Sequence, residues 1–227
     1  MHNICIIPAR GGSKRIPRKN VRDFLGKPII AYSIEAALKS GLFEEVMVST
    51  EDAEIAAIAK QYGASVPFMR SADTANDFAG TDDVVKEVLR EYKKQGREFD
   101  VVCCIYATAP FVTVENLKKA YEQIGDTFDA AFTMVRYSYP VQRALCVRNG
   151  FTGMREPQYY DARSQDLEPV FHDAGQFYFM KVNDIDNLLF WTDHTYGLEL
   201  SELMVQDLDN ETDWQLAEMK YKLLNGK

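Results

Sequence analysis

Histidine is scarce in this 227-residue chain, and His2, His172 and His194 lie far apart. Such spacing gives no reason to expect a histidine-centred zinc site, although distant residues can converge in a fold. Cysteine is nearly as sparse. Cys5, Cys103, Cys104 and Cys146 form no C-x-x-C pair and lie mostly in apolar runs, so reduced, buried thiols are expected rather than a disulfide or zinc framework. Long hydrophobic runs are missing as well. The most apolar stretch, Val101 to Val114, is interrupted by Thr108, Pro110 and Thr113 and falls short of the roughly 20 residues that span a bilayer. The short run Ile4-Cys5-Ile6-Ile7 has no basic lead and no small-residue cleavage site, so no export signal and a cytoplasmic location are expected. A basic surface is lacking too. The net charge of -8 and the pI near 5.0 argue against broad nucleic-acid binding. What is present, 46% apolar and 26% charged residues without internal repeat or low-complexity tract, is the composition of one globular domain with a full core and room for a small lobe.

The chain alternates strand-like and helix-like segments. Asn3 to Pro8 reads as a short buried strand ended by proline and then glycines. Ile30, Ile34, Ala37 and Leu38 follow helical spacing, and "EEVMVST" reads as a second strand. Thr50 is the expected cap of a helix with Ile55, Ile58, Ala59 and Tyr62 inward, closed by Gly63. "ASVPFM" is expected to be a short strand. Thr81, Asp82 and Asp83 open a helix with Val84, Val85, Val88, Leu89 and Tyr92 inward, and "DVVCCIY" reads as a strand covered on both faces. This alternation implies an α/β fold, with a mainly parallel sheet between helical layers. From about 136 to 173 the rhythm breaks, which marks an inserted lobe within a single domain spanning 1–227. A last helix is expected behind a cap at Thr212 and Gln215, with Trp214, Ala217, Tyr221 and Leu224 inward.

Against the acidic average, six basic residues (Arg10, Lys14, Arg15, Arg18, Lys19 and Arg22) crowd one loop that leaves the end of the first strand. Ligands of such sheets sit at the carboxyl ends of strands. Gly11 and Gly12 let backbone approach an anion closely, and the flanking cations neutralise several charges, as a polyphosphate requires. Neither the P-loop spacing nor G-x-G-x-x-G is present. A solvated basic turn is the alternative. In "MVQDLDNETDW", Asp207 and Asp209 would share one face of an extended segment, roughly 6.6 Å apart, which suits a hard cation such as Mg²⁺ held jointly with phosphates. Here the alternative is an acidic lead into the final helix, with Asp209 or Asn210 helping to cap it. Together the two features supply what phosphoryl transfer needs.

The segments "IPARGGSKRIPRKN", "GKPIIAYSIEAAL", "VMVSTEDAEIAAIAKQYGA", "YATAPFVT", "ARSQDLE" and "DLDNETDW" resemble the acylneuraminate cytidylyltransferases, and the resemblance covers nearly the whole chain. Within that family "YPVQRAL" and "DAGQFYF" resemble the pseudaminic acid branch most closely. The resemblance implies a Rossmann-like nucleotidyltransferase fold and a homodimer made through the inserted lobe. It implies Mg²⁺-dependent reaction of CTP with a nonulosonic acid, pseudaminic acid by preference, to give the CMP-sugar and pyrophosphate. Carried onto matching positions, Arg10 and Lys19 would hold the triphosphate, with Gly11, Gly12, Ser13 and Lys14 in the same loop. Asn20, Arg70, Ala79 and Thr81 would line the cytidine site, and Asp207 and Asp209 would hold the metal. On the sugar side the resemblance points to Arg163, Gln176 and Tyr178, with Arg143 and Tyr106 as further candidates.

Two departures from the sialic-acid enzymes fall in the implied sugar pocket. Tyr106-Ala107-Thr108-Ala109-Pro110 stands in place of Gln-Pro-Thr-Ser-Pro, and Ala174-Gly175 in place of Asn-Gly. Both remove amide groups, which suits a sugar with fewer hydroxyls and a methyl terminus. Legionaminic acid shares that terminus. The expected catalytic set is Arg10, Lys19 and Asp209, working by positioning and electrostatics. Transfer to legionaminic, sialic or ketodeoxyoctonic acid is the rival reading, as is a nucleotide-binding module without turnover. Arg15, Arg18 and Arg22 are expected to be solvated or structural.

Overall fold

Side chains of β1 (Asn3–Pro8) alternate between two apolar clusters: Cys5 and Ile7 enter one, Ile4 and Ile6 the other. Successive strand residues face opposite sides of a sheet, so a strand apolar throughout needs cover on both. The computed structural model describes residues 1–13, 15–76 and 79–226. After β1 come a small ribbon, β2 (Asp23–Phe24) and β3 (Lys27–Pro28), then α1 (Ile30–Ser40), β4 (Glu45–Ser49) and α2 (Ala53–Gln61). Next follow α3 (Thr81–Lys94), β5 (Val101–Ile105), α4 (Val114–Tyr121) and β6 (Ala130–Arg136). The chain continues through β7 (Leu145–Arg148), β8 (Phe151–Met154), β9 (Phe171–Lys181) and β10 (Thr195–Leu200) to α5 (Glu211–Asn225).

Among the described residues, six strands form one sheet in the order β10-β6-β9-β5-β1-β4. β1 pairs in parallel with β4 and β5, and β6 with β10, while β9 runs antiparallel between β5 and β6. Ile34 of α1, Ile55 of α2 and Leu117 of α4 pack on one face. Val85, Val88 and Leu89 of α3 cover the other. This is the three-layer, mainly parallel α/β arrangement expected from the sequence. Trp214 and Ala217 of α5 close a third cluster over Phe24, Ile29 and Tyr32. Residues 137–170, where the alternation breaks in sequence, carry the β7–β8 hairpin and short 3-10 turns. Cys5, Cys103 and Cys104 are buried free thiols, and Cys146 is a half-buried one.

Several local expectations are corrected. "ASVPFM" forms one isolated bridge, Met47 to Ser65, and no strand, since Pro67 has no N–H to extend a ladder. α2 is capped by Asp52, whose side chain accepts from the amides of Glu54 and Ile55. Thr50 lies two residues back, its hydroxyl accepting from the Asp52 amide at 3.1 Å. Gly80 precedes α3, and Asp83 turns back to accept from its amide at 2.9 Å, so Thr81 is the first helical residue. α5 starts two residues earlier than Thr212 would allow. Asn210 is its cap, and Asp213 accepts from the Asn210 amide at 3.0 Å.

Candidate functional site

The carboxyl ends of β1, β4 and β5 lie side by side because those strands are parallel neighbours, and their loops form one rim. The first of these loops is folded over the second. The Gly11 amide donates to Glu51 Oε1 at 2.7 Å, and a Cβ on Gly11 would stand 2.5 Å from Asp52 Oδ2. Only glycine fits that approach. Asp52 cannot readily yield, because it also caps α2 and pairs with Arg18 at 2.5 Å. That pairing holds the Asp52 carboxyl down at about 2.

A cleft of about 320 Å³ opens above this rim. It brings together Arg10, Ser13, Lys19, Asn20, Arg70, Ala79 and Thr81, seven of the residues expected around the nucleotide. Asn20 is buried and fixed by donating from Nδ2 to the Arg10 carbonyl at 2.8 Å. Arg70 is buried too, hooked onto Ser49 through Oγ at 3.1 Å and the carbonyl at 2.5 Å. Burial pulls its guanidinium pKa down, opposed by Glu51 and Glu87. Gly11 and Gly12 shape the loop beneath without lining the cleft. Lys14 lies outside the described residues.

Lys19 joins the basic loop to the acidic segment. Its Nζ donates to the Leu208 carbonyl at 2.7 Å. Burial lowers its pKa, while the charges of Asp207 and Asp209 work in the opposite direction. Asp209 Oδ1 pairs with Arg15 Nη2 at 2.8 Å, and Asp207 Oδ1 accepts from the Leu208 amide at 2.8 Å. No cluster of three or more His, Cys, Asp or Glu that could hold a metal occurs among the described residues. The donor set is thus two hard carboxylates beside a cationic cleft. That fits Mg²⁺, which takes one or two carboxylates and completes its shell with water and phosphate oxygens.

Tyr106 is a wall shared between this cleft and a second cavity of about 640 Å³, which Asp207, Asp173, Ala174 and Gly175 also line. Its ring packs against that of Tyr178, with centroids 5.4 Å apart. Burial raises the Tyr106 pKa. Tyr178 donates in turn to Asp173 Oδ2 at 2.5 Å, and Asp173 Oδ1 accepts from the Gly175 amide at 2.9 Å. Gly175 has φ +63, in the left-handed region that favours glycine.

The remaining sugar-side expectations are not brought together with these. Gln176 and Tyr178 lie behind the wall, 3% and 2% exposed. Both are on β9, and strand alternation turns them into the interior. Gln176 Nε2 donates to the Met204 carbonyl at 2.5 Å. Arg143 and Arg163 sit exposed on the lobe and line neither cavity. Arg163 Nε is engaged by Asp166 at 2.7 Å.

A family model described as cytidylyltransferase matches residues 4–183. The chain belongs to the cytidylyltransferase family. This family member is 43% identical over 226 residues to a pseudaminic acid cytidylyltransferase of Campylobacter jejuni, covering 98% of this chain and 97% of the relative. It is 34% identical over 232 residues to a CMP-N,N'-diacetyllegionaminic acid synthase of Legionella pneumophila, at 98% and 97% coverage. In fold it is similar to a CMP:2-keto-3-deoxy-manno-octonic acid synthetase complexed with CTP, with a TM-score of 0.70 over all of both chains at 18% identity.

Arg15, expected to be solvated or structural, lines the cleft with its side chain exposed and pairs with Asp209. Arg18 and Arg22, with the same expectation, each hold ion pairs. Arg18 is tied to Asp52 and Glu54, and Arg22 is paired with Glu211 at 2.5 Å and stacked over Trp214. Glu51 and Asp173 carried no local signal. The first reads as a helix lead-in, and the second matters only through the irregularity at Gly175 in β9, where Tyr178, five residues on along the same strand, comes beside it.

Proposed function

We propose that the chain transfers CMP from CTP to a nonulosonic acid, pseudaminic acid by preference, releasing pyrophosphate. The observation that carries this reading is the convergence of Arg10, Ser13, Lys19, Asn20, Arg70, Ala79 and Thr81 on one cleft beside the Asp207–Asp209 segment. The near full-length similarity to a pseudaminic acid cytidylyltransferase supports the choice of sugar.

In this reaction the anomeric 2-hydroxyl of the sugar acid attacks the α-phosphorus in line. An oxygen–phosphorus bond forms, the bond from the α-phosphorus to the bridging oxygen of the pyrophosphate breaks, and the hydroxyl proton leaves to solvent or a carboxylate of the site. Arg10 and Lys19 offset the charge that builds on the leaving pyrophosphate. Lys19 is well suited because its desolvated ammonium acts at low local dielectric. Asp207 and Asp209 would hold Mg²⁺, which neutralises phosphate charge when bound. Asn20, Arg70, Ala79 and Thr81 would take the cytidine, and Tyr106 would face both substrates.

The reading includes a homodimer built through the lobe at about 136–173, within one domain. Leu145, Val147 and Phe151 of the β7–β8 hairpin are 65%, 71% and 79% exposed, and a two-stranded hairpin is marginal in water by itself. Arg143 and Arg163 would reach a sugar only across such an interface. The reaction is assigned to the cytoplasm, and no helix among the described residues is long and apolar enough to cross a membrane. The test is pyrophosphate release with CTP and Mg²⁺ against pseudaminic, legionaminic, sialic and ketodeoxyoctonic acids. Selective release with pseudaminic acid is expected. Selective release with another acid overturns the choice of sugar, and no release with any overturns the enzyme.

A further inference from the structure

One wall of the first cleft is thin. Thr74, Asn76 and Ala79 line the cleft on one side and, on the other, a hollow of about 570 Å³ whose remaining lining residues are all polar or charged. A stretch of chain with so little apolar surface behind it gains little from burial, so hydrogen bonds decide where it stands.

The stretch from Arg70 to Asn76 is fixed first at Arg70, whose amide donates to the Thr50 carbonyl at 2.9 Å and whose guanidinium is hooked onto Ser49. Further on, Gly80 is held by the Asp83 carboxylate at the start of α3. Between these two points the anchor is Glu87, one helical turn after Asp83 on the same face of α3. Its Oε1 accepts from the Ser71 amide at 2.8 Å, and its Oε2 accepts from the Thr74 hydroxyl. The Ala75 amide closes the turn by donating to the Ser71 carbonyl at 3.1 Å. A carboxylate that grips both Ser71 and Thr74 therefore sets the turn as a unit. The next link enters the site: the Asn76 carbonyl accepts from Arg10 Nη1 at 3.4 Å, and Asn76 Oδ1 accepts from the Ala79 amide at 2.9 Å.

The cations of α3 are engaged with other carboxylates. Lys86 is paired with Asp82, Arg90 with Asp186, Lys93 with Glu98 and Lys94 with Glu91. Glu87 lines the hollow and not the cleft, so it reaches a nucleotide only through the turn. Its charge also favours the charged form of the buried Arg70. By charge alone, a carboxylate beside a triphosphate site weakens binding, and its removal should tighten an anion. Positioning acts with the opposite sign, which makes the two effects separable.

Resting on the reading above, we propose that Glu87 is a positioning residue for CTP: from α3 it latches the Ser71–Thr74 turn, and through it sets Asn76 and the Arg10 side chain at the triphosphate. The affinity for CTP then depends on a helix residue that never touches it.

Calorimetric titration with CTP and Mg²⁺, without sugar acid, measures nucleotide affinity, and steady-state pyrophosphate release gives the KM for each substrate. Both are applied to wild type, Glu87→Ala, Glu87→Gln, Glu91→Ala, Thr74→Val and the double variant Glu87→Ala with Thr74→Val. Glu87→Ala should weaken CTP about 10-fold in Kd and KM alike, the worth of one charge-assisted contact. The kcat and the KM for the sugar acid should stay within about twofold of wild type. Glu87→Gln should bind CTP within about threefold of wild type, because its carbonyl still accepts from the Ser71 amide and its amide donates to the Thr74 hydroxyl. Glu91→Ala removes a charge from the same hollow without touching the turn, and should leave CTP affinity unchanged or slightly tighter. The double variant should lose less than the product of the two single effects, since both break one contact. Alanine is a better helix former than glutamate, so α3 should survive with an unchanged melting temperature. CTP bound as tightly by Glu87→Ala as by wild type overturns the inference. So does Glu87→Gln as weak as Glu87→Ala, an equal loss in Glu91→Ala, or a double variant whose losses multiply in full. A wild type that binds no CTP overturns the underlying reading instead.

Discussion

At the scale of single residues, the site works through side chains whose freedom has been removed. Lys19 is pinned to the Leu208 carbonyl between two aspartates, so its charge is in place before substrate arrives and needs no reorganisation during reaction. Asp209→Asn should therefore lower kcat by at least about 100-fold without unfolding the chain. Near-normal turnover at ordinary Mg²⁺ would remove the metal assignment. Tyr178 tests a subtler point. Its hydroxyl donates to Asp173 while its ring packs on Tyr106, and Tyr178→Phe leaves that carboxylate oxygen short of a bond. The expected cost is about 1–3 kcal/mol of stability, with a several-fold higher KM for the sugar and an unchanged KM for CTP. A CTP defect equal to the sugar defect would place Tyr178 in the shared core and not at the sugar wall. The contrast between these residues explains what sequence could reveal. The basic loop and the Asp207–Asp209 pair are local patterns, legible from spacing. Tyr178 stands opposite Cys104 only because β9 pairs with β5 across more than 70 positions.

At the scale of elements, Asp52 unites three jobs: it caps α2, pairs with Arg18 and backs the tight passage of Gly11. Its carboxyl is held at about 2, with the Arg18 hydrogen bond the largest cause. A depressed carboxylate pKa stabilises the fold above the unfolded value near 4 and loses that contribution as pH falls from there through about 2. Asp52→Asn should thus cost stability at pH 7, and its deficit relative to wild type should shrink as pH drops from about 4 to about 2. Urea unfolding of both proteins across that range checks it, and a deficit independent of pH would assign the loss to packing. Gly11→Ala addresses the same junction from the other strand end. Since Asp52 cannot retreat, the loop must shift, and KM for CTP should rise about tenfold or more while the global fold survives. Unchanged CTP kinetics would mean that the loop is not held as closely as the geometry requires. The caps also show where local pattern fails as a guide. Asn210-x-x-Asp213 and Thr212-x-x-Gln215 are both capping-box spacings, two residues apart, and propensity does not choose between them. The earlier register prevails in a structure where Trp214 is buried against Phe24 and stacked under Arg22, contacts that lie outside any local window.

At the scale of the whole molecule, the parallel half of the sheet gathers the loops of the first cleft, and the antiparallel β9 carries residues of the second cavity. The parallel half follows from alternating apolar runs and amphipathic helices, and was legible. The reversal at β9 was not, because a lobe of tyrosines, arginines and short turns precedes it and offers no periodicity to read. That lobe leaves a hairpin uncovered on both faces. Leu145 and Val147 share one side of β7, while Phe151 pairs with Arg148 and so lies on the other. Large apolar side chains on both faces of an isolated ribbon call for a second surface, and a second copy of the chain supplies one without any further partner. Size-exclusion chromatography with light scattering should give twice the 25.9 kDa of one chain. Val147→Asp with Phe151→Asp should shift the protein to a single chain, since each added charge would have to be desolvated to restore the contact. If wild type runs as a monomer at working concentration, the dimer is wrong. If the variant is monomeric and keeps its kcat/KM for the sugar acid, each cavity is complete within one chain. If dissociation instead abolishes sugar use while CTP still binds, Arg163 or another residue of the opposite lobe finishes the pocket.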